Sequence, residues 1–247
     1  KIQEKTKKPA RRSNPITVIL LIISLVALGL VSVRFFRSGM LDRYRVLIAQ
    51  QLGGLNEHKV GNSRYHLMKP VGNPPPQGWP VVVGLHGLGG QGSDMLPLAS
   101  AFTREGIAYI APSFGDYPPF PGLGPLEPMR VILEDASAQI PIDQDRVVLL
   151  GFSQGGTFAY RFSLYHPEWV SGVVTAGAPD LDAGTPIENI PYVFTWGELD
   201  GLQDFVLPES VYPLINQGYN VSYQVIPGAG HEVTMDAVEA ALAIVNP

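Results

Sequence analysis

The sequence contains no cysteine. Disulfide scaffolds, thiolate metal sites and a cysteine nucleophile fall away together, so any acyl-enzyme formed by this chain must sit on a hydroxyl. Charge is scarce too: charged residues make up 16% of the chain against 45% apolar, the reverse of the signature of disorder. The five histidines, at 58, 66, 86, 166 and 231, show no HExxH-type spacing, so neither a metal nor another cofactor is expected. The shortage of cations is uneven. Residues 1–45 carry ten Lys and Arg beside Glu4 and Asp42, a net of +8, which leaves seven basic and twenty acidic groups, a net of −13, over residues 46–247. A globular part this poor in cations repels phosphates and predicts no nucleic-acid partner. Roughly 200 residues remain after the N-terminal segment, enough for one domain with a sizeable core.

The basic end precedes a long run without charge, PITVILLIISLVALGLVSV over Pro15–Val33. At about 1.5 Å per residue a helix of that length spans roughly 28 Å, close to a bilayer core. Lys5, Lys7, Lys8, Arg11 and Arg12 lie before it and Arg34 and Arg37 after it, so the positive-inside bias predicts a cytoplasmic N-terminus and a C-terminal domain outside the cytoplasm. A cleaved signal peptide with processing after an A-x-G site at Ala27 and Gly29, releasing a secreted protein, is the competing expectation. The expected organisation is a basic N-terminus (1–14), a transmembrane anchor (15–33), a stalk (34–58) containing the amphipathic Met40–Leu52, and a globular domain from residue 59 to the end.

Within that domain short β-branched runs alternate with helical stretches, the pattern of an α/β fold with a mostly parallel central sheet and helices on both faces. Strands are expected at 81–87, 107–112, 146–151, 171–177, 192–197 and 220–227. Helices are expected at 93–106 with Ser93 as N-cap and Gly106 as stop, and at 128–140, 157–166 and 233–245. The segment GNPPPQGWP at 72–80 reads as a Pro-rich turn entering the sheet.

One strand-to-helix junction carries the chemistry. Gly151-Phe152-Ser153-Gln154-Gly155 fits G-x-S-x-G, with RVVLLG before it and a helical run after it, which is the context this motif requires. So sharp a turn excludes side-chain bulk at the flanking positions, leaves the serine on a strained backbone with Oγ exposed, and aims a helix N-terminus at the reacting carbon. Together with LHGLGG at 85–90, GFSQGG resembles the small-esterase branch of the α/β-hydrolase superfamily: carboxylesterases, acyl-protein thioesterases, dienelactone hydrolases and polyhydroxybutyrate depolymerases. The resemblance covers about four-fifths of the chain and is specific for fold and reaction type rather than substrate.

That resemblance implies the rest of the site. A serine hydroxyl needs a base within hydrogen-bond reach, and the superfamily keeps it after the last strand, where Gly228-Ala229-Gly230-His231-Glu232 places His231. The carboxylate that fixes the imidazole follows the strand YVFTWG, implying Asp200, with Glu198 and Asp204 as near alternatives and Asp180 or Asp182 at a rarer placement. The resulting order Ser153, Asp200, His231 is the superfamily's. The oxyanion hole is implied at the backbone N–H groups of Gln154 and Leu88, with His86 structural. Neither a P-loop nor a dinucleotide fingerprint fits HGLGGQGSD. His58, His66 and His166 are read as surface residues.

Substrate is less legible. The irregular loop 113–128 should border the site, with Phe114, Tyr117 and Phe120 as an apolar wall or as simple packing. Only residues 178–191 separate two strands between which many relatives insert a cap, so an open site for short or medium acyl esters, or exposed acyl groups on larger molecules, is expected. The expected activity is serine carboxylic ester or thioester hydrolysis, with a peptidase or acyltransferase on the same fold, or a non-catalytic binding module, as alternatives.

Overall fold

The computed structural model describes residues 56–114, 126–181 and 184–246. The expected anchor at Pro15–Val33, the stalk up to residue 55, Tyr117, Phe120 and Asp182 lie outside the described residues, whereas residues 56–58, expected at the end of the stalk, belong to the first strand. Among those described, no helix is long and apolar enough to cross a membrane.

The chain opens with a hairpin, β1 (Asn56–Val60) and β2 (Ser63–Met68), followed by β3 (Trp79–Leu85). A broken helical segment comes next: α1 (Gly92–Met95), a 3₁₀ turn over Leu96–Leu98 and α2 (Ala99–Thr103). Then follow β4 (Ala108–Ser113), α3 (Leu126–Gln139), β5 (Ile142–Phe152), α4 (Gln154–Tyr165), β6 (Gly172–Ala176) and β7 (Tyr192–Gly197). The helical stretch α5 (Gln203–Val206), a π-helical turn over Leu207–Val211 and α6 (Tyr212–Asn216) lead to β8 (Val221–Ile226) and the C-terminal α7 (Met235–Val245).

The eight strands form one sheet in the order β1-β2-β4-β3-β5-β6-β7-β8. The hairpin pairs antiparallel, and every pair from β4 through β8 is parallel. Strand β3 is buried at all seven positions, as a central strand covered on both faces must be. Because alternate residues point to opposite faces, Val81, Val83, Leu85, Val147 and Leu149 join Ile132, Leu133, Phe158 and Phe162 in one core. Val82, Val148 and Leu150, equally buried, serve the other face. There α7 packs, and Ile244 lies so close to Gly172 that a β-carbon at 172 would come within 2.3 Å of its side chain.

Two sequence expectations need correction, and one segment carries helix where the sequence predicts no element. The helix expected over 93–106 breaks at Pro97, which has no N–H to continue the ladder, and its N-cap is Gln91 rather than Ser93. The backbone N–H of Gln91 donates to the Asp94 carboxylate at 2.9 Å, while Gly92 presses on the Ala111 carbonyl, so the turn begins earlier. The sequence predicts no hairpin before Trp79, and the one that forms leaves His58 and His66 half-buried rather than fully on the surface: the His58 ring stacks on Tyr65 at 4.9 Å, and burial lowers the pKa of His66. The segment 203–216 is helical although its two prolines, Pro208 and Pro213, obscure a helical period.

Candidate active site

All the parallel strands release their loops at the same edge of the sheet, and the chemistry-bearing residues collect there. Ser153 follows β5 with φ 51° and ψ −121°, the one positive φ outside glycine among the described residues. Such a conformation costs on the order of 1–3 kcal/mol and persists only where surroundings impose it. Here the Ser153 N–H is tied to the Ala176 carbonyl at 2.7 Å, and α4 departs immediately. A β-carbon on Gly151 would meet the Gly155 carbonyl oxygen at 2.2 Å, and one on Gly155 would meet the Leu85 carbonyl oxygen at 2.4 Å. The two glycines of the motif are thus demanded by close approach of helix, elbow and β3.

His231 and Asp200 come together from the loops after β8 and β7. The imidazole Nδ1 lies 2.8 Å from Asp200 Oδ2, with the Asp200 side chain 3% exposed and that of His231 38% exposed. An ionised carboxylate only accepts, so Nδ1 carries the proton and Nε2 keeps its lone pair for another partner. The imidazole is bracketed above the elbow. Its ring centroid lies 4.9 Å from that of Phe152, next to Ser153, and a β-carbon at Gly177, which follows Ala176, would fall 2.8 Å from Nδ1.

Two of the other acidic candidates, Asp180 and Glu198, are engaged elsewhere. The Asp180 carboxylate is paired with Arg161 at 2.8 Å, and its carbonyl accepts the Thr157 hydroxyl. Glu198 Oε2 accepts the N–H of Gly228 at 2.9 Å. Asp204 sits in the first turn of α5.

The loop after β3 passes directly over the elbow, since a β-carbon on Gly87 would lie 3.3 Å from the Ser153 β-carbon. Its Gly87 carbonyl is held from within by the Gly90 N–H at 3.1 Å and by His86 Nδ1 at 2.9 Å. A trans peptide points N–H opposite to C=O, so the Leu88 N–H faces away from those two donors. Among the described residues neither the Leu88 nor the Gln154 N–H is taken by a backbone carbonyl. The His86 side chain serves this loop, and Nε2, its other ring nitrogen, is buried without a partner. Phe114 packs between His86 and Phe158, at ring distances of 6.4 and 5.3 Å.

Sequence reasoning missed Gly177 and the part played by Glu198. A glycine ending the strand GVVTA was a signal for close approach, and a carboxylate two residues before the expected acid was weighed only as its substitute.

Residues 80–218 match the model of the alpha/beta hydrolase fold family. A proposed esterase, NocK of Nocardia uniformis subsp. tsuyamanensis, is 29% identical over 165 residues, 59% of this chain and 48% of NocK. The chain thus spans about half the length of that curated relative. Similar solved structures include a bacterial heroin esterase (TM-score 0.62, 18% identity, 82% of this chain and 89% of the other). The fluorophosphonate-binding serine hydrolase FphF of Staphylococcus aureus gives TM-score 0.60 at 15% identity, over 78% of this chain and 98% of FphF. At such identities the likeness is one of fold.

Proposed function

Because the chain belongs to the alpha/beta hydrolase fold family, we propose that it is a serine hydrolase that cleaves carboxylic esters through an acyl-enzyme on Ser153. The observation that carries this reading is the Asp200–His231 hydrogen bond of 2.8 Å, set above a serine held at φ 51°. The likeness to a proposed esterase agrees with it.

In this mechanism His231 Nε2 takes the Ser153 hydroxyl proton as Oγ attacks the ester carbonyl carbon. The charge that moves onto the carbonyl oxygen is met by the N–H groups of Leu88 and Gln154 and by the N-terminus of α4. Collapse of the tetrahedral intermediate breaks the carbon–oxygen bond to the alcohol, which leaves with the proton from His231. Water then gives a proton to His231 and attacks the acyl carbon. The second intermediate collapses, returning that proton to Ser153 Oγ and releasing the carboxylic acid. Asp200 remains ionised throughout, fixing the tautomer and stabilising the imidazolium. With only residues 177–191 between β6 and β7, the site suits short or medium acyl esters, or acyl groups exposed on larger molecules.

A fluorophosphonate probe followed by peptide mapping tests the nucleophile, and a panel of esters, thioesters and peptides tests the substrate class. The expected result is labelling at Ser153 with ester turnover. Labelling at another residue overturns the site, and amine release from peptides without ester turnover overturns the substrate class.

A further inference from the structure

The loop that carries His231 has little to hold it in place. Gly228, Ala229 and Gly230 offer no side chain long enough to anchor in the core, yet a base must stay within a fraction of an ångström of its working position. Within the loop the Ala229 N–H donates to the Ile226 carbonyl and the Gly230 N–H to Glu232 Oε1, both at 3.3 Å, and the shorter bonds that tie it to the rest of the sheet come from the turn after β7. The Glu198 N–H donates to the Ile226 carbonyl at 2.9 Å, carrying the β7–β8 ladder one step past the strand, and the Leu199 N–H donates to the Ala229 carbonyl at 2.9 Å. Glu198 then reaches across with its side chain, and Oε2 accepts the Gly228 N–H at 2.9 Å. Among the described residues it is the one side chain of this turn that bonds the backbone of the His231 loop. Glu198 is itself steadied, because its carbonyl accepts the amide Nε2 of Gln203, a residue only 7% exposed.

We propose that Glu198 is a positioning residue for the base: by accepting the Gly228 N–H, its carboxylate fixes the loop at the near end of Gly228–His231 and keeps the imidazole on Asp200 and over Ser153. This rests on the reading of His231 as the base of an ester hydrolase. The contact needs an acceptor oxygen rather than a charge, since its partner is a neutral amide, so a glutamine can replace the glutamate and an alanine cannot.

The test uses the full chain and the variants Glu198→Ala and Glu198→Gln. It measures kcat and KM on a short-chain p-nitrophenyl ester, normalised to sites titrated with fluorophosphonate, and hydrogen–deuterium exchange of the segment containing Gly228. Glu198→Ala is expected to lower kcat roughly tenfold or more, the scale of a small misplacement of a catalytic group. It should leave KM within about twofold, since substrate binding is untouched, and speed exchange in the loop. Glu198→Gln should match the unaltered protein in both measurements. Unchanged kcat and exchange in Glu198→Ala, or a Glu198→Gln as impaired as Glu198→Ala, overturns the proposal. An unaltered protein inert to every ester would instead sink the hydrolase reading, and the exchange comparison would still decide whether Glu198 holds the loop.

Discussion

A β-carbon placed on Gly177 would lie 2.8 Å from Nδ1 of His231, closer than real β-carbons approach other heavy atoms. The same atom would lie 3.0 Å from Asp200 Oδ2, and the backbone at Gly177 has φ +64°. The end of β6 is therefore cut away to admit the Asp200–His231 pair.

Gly177→Ala is expected to displace His231 and lower ester turnover by at least tenfold, on top of a stability loss of about 1 kcal/mol or more from the strained backbone. Gly61→Ala, with φ +57° but open space around it, is the control. It should share the backbone cost and keep full activity. Equal kcat values for the two variants, normalised to folded protein, would remove the steric account.

Ser153→Ala and His231→Ala should each lower kcat by several powers of ten, with the double variant hardly worse than either, because residues that act as a unit are not additive. Asp200→Asn should cost on the order of 10⁴ by leaving the imidazole in the wrong tautomer. Asp204→Asn should cost far less. A crippling Asp204→Asn beside a nearly silent Asp200→Asn would reassign the acid.

Two groups of side chains should make stability fall at the extremes of pH. Tyr65, Tyr109 and Tyr192 all have pKa values raised by burial, and for Tyr65 the Asp135 carboxylate adds to the effect. An unfolded chain loses these protons first, so the stability they supply is full below the ordinary tyrosine value of about 10 and drains as pH rises above it. His66 moves the other way. Burial lowers its pKa, partly opposed by Glu57, so its contribution is present above the ordinary value of about 6.5 and is lost as pH falls below it. Urea midpoints across pH 5 to 11 should therefore decline at both ends, and His66→Phe should flatten the acid side. An acid limb unchanged in His66→Phe would show that carboxylates alone produce it.

The run Pro15–Val33, read as an anchor, predicts that the protein stays with membranes through high-salt and alkaline carbonate washes. Recovery of a mature form beginning near Leu30 in a soluble extracytoplasmic fraction would favour the cleaved signal peptide.

Much of this architecture could be read directly from residue order. The central parallel strands β3, β6 and β7 are compact apolar runs, because a strand covered on both faces needs no alternation, and β7 falls where its run falls. Ser153 was legible because its backbone strain demands glycines at fixed distances. The hairpin β1–β2 was hidden by its own half-buried alternation of His, Lys, Arg and Tyr, in which polar residues point outward and conceal Tyr65 and Leu67 in the core. Choosing among Asp180, Glu198, Asp200 and Asp204 depended on where loops from different strands meet, a long-range relation that local spacing does not encode. Only the contacts made by each carboxylate tell them apart.

The route by which Asp200 and His231 meet bears on how the protein matures. The chain between them, 31 positions from one to the other, runs through α5, α6 and the whole of β8, and the two meet only when β8 takes its parallel place beside β7 at the margin of the sheet. Parallel pairings at this separation are slow to form, because the chain entropy of the intervening loop is spent before any contact returns it. During refolding, regained activity should consequently trail regained helix and sheet signals, making turnover a clock for the last strand to dock.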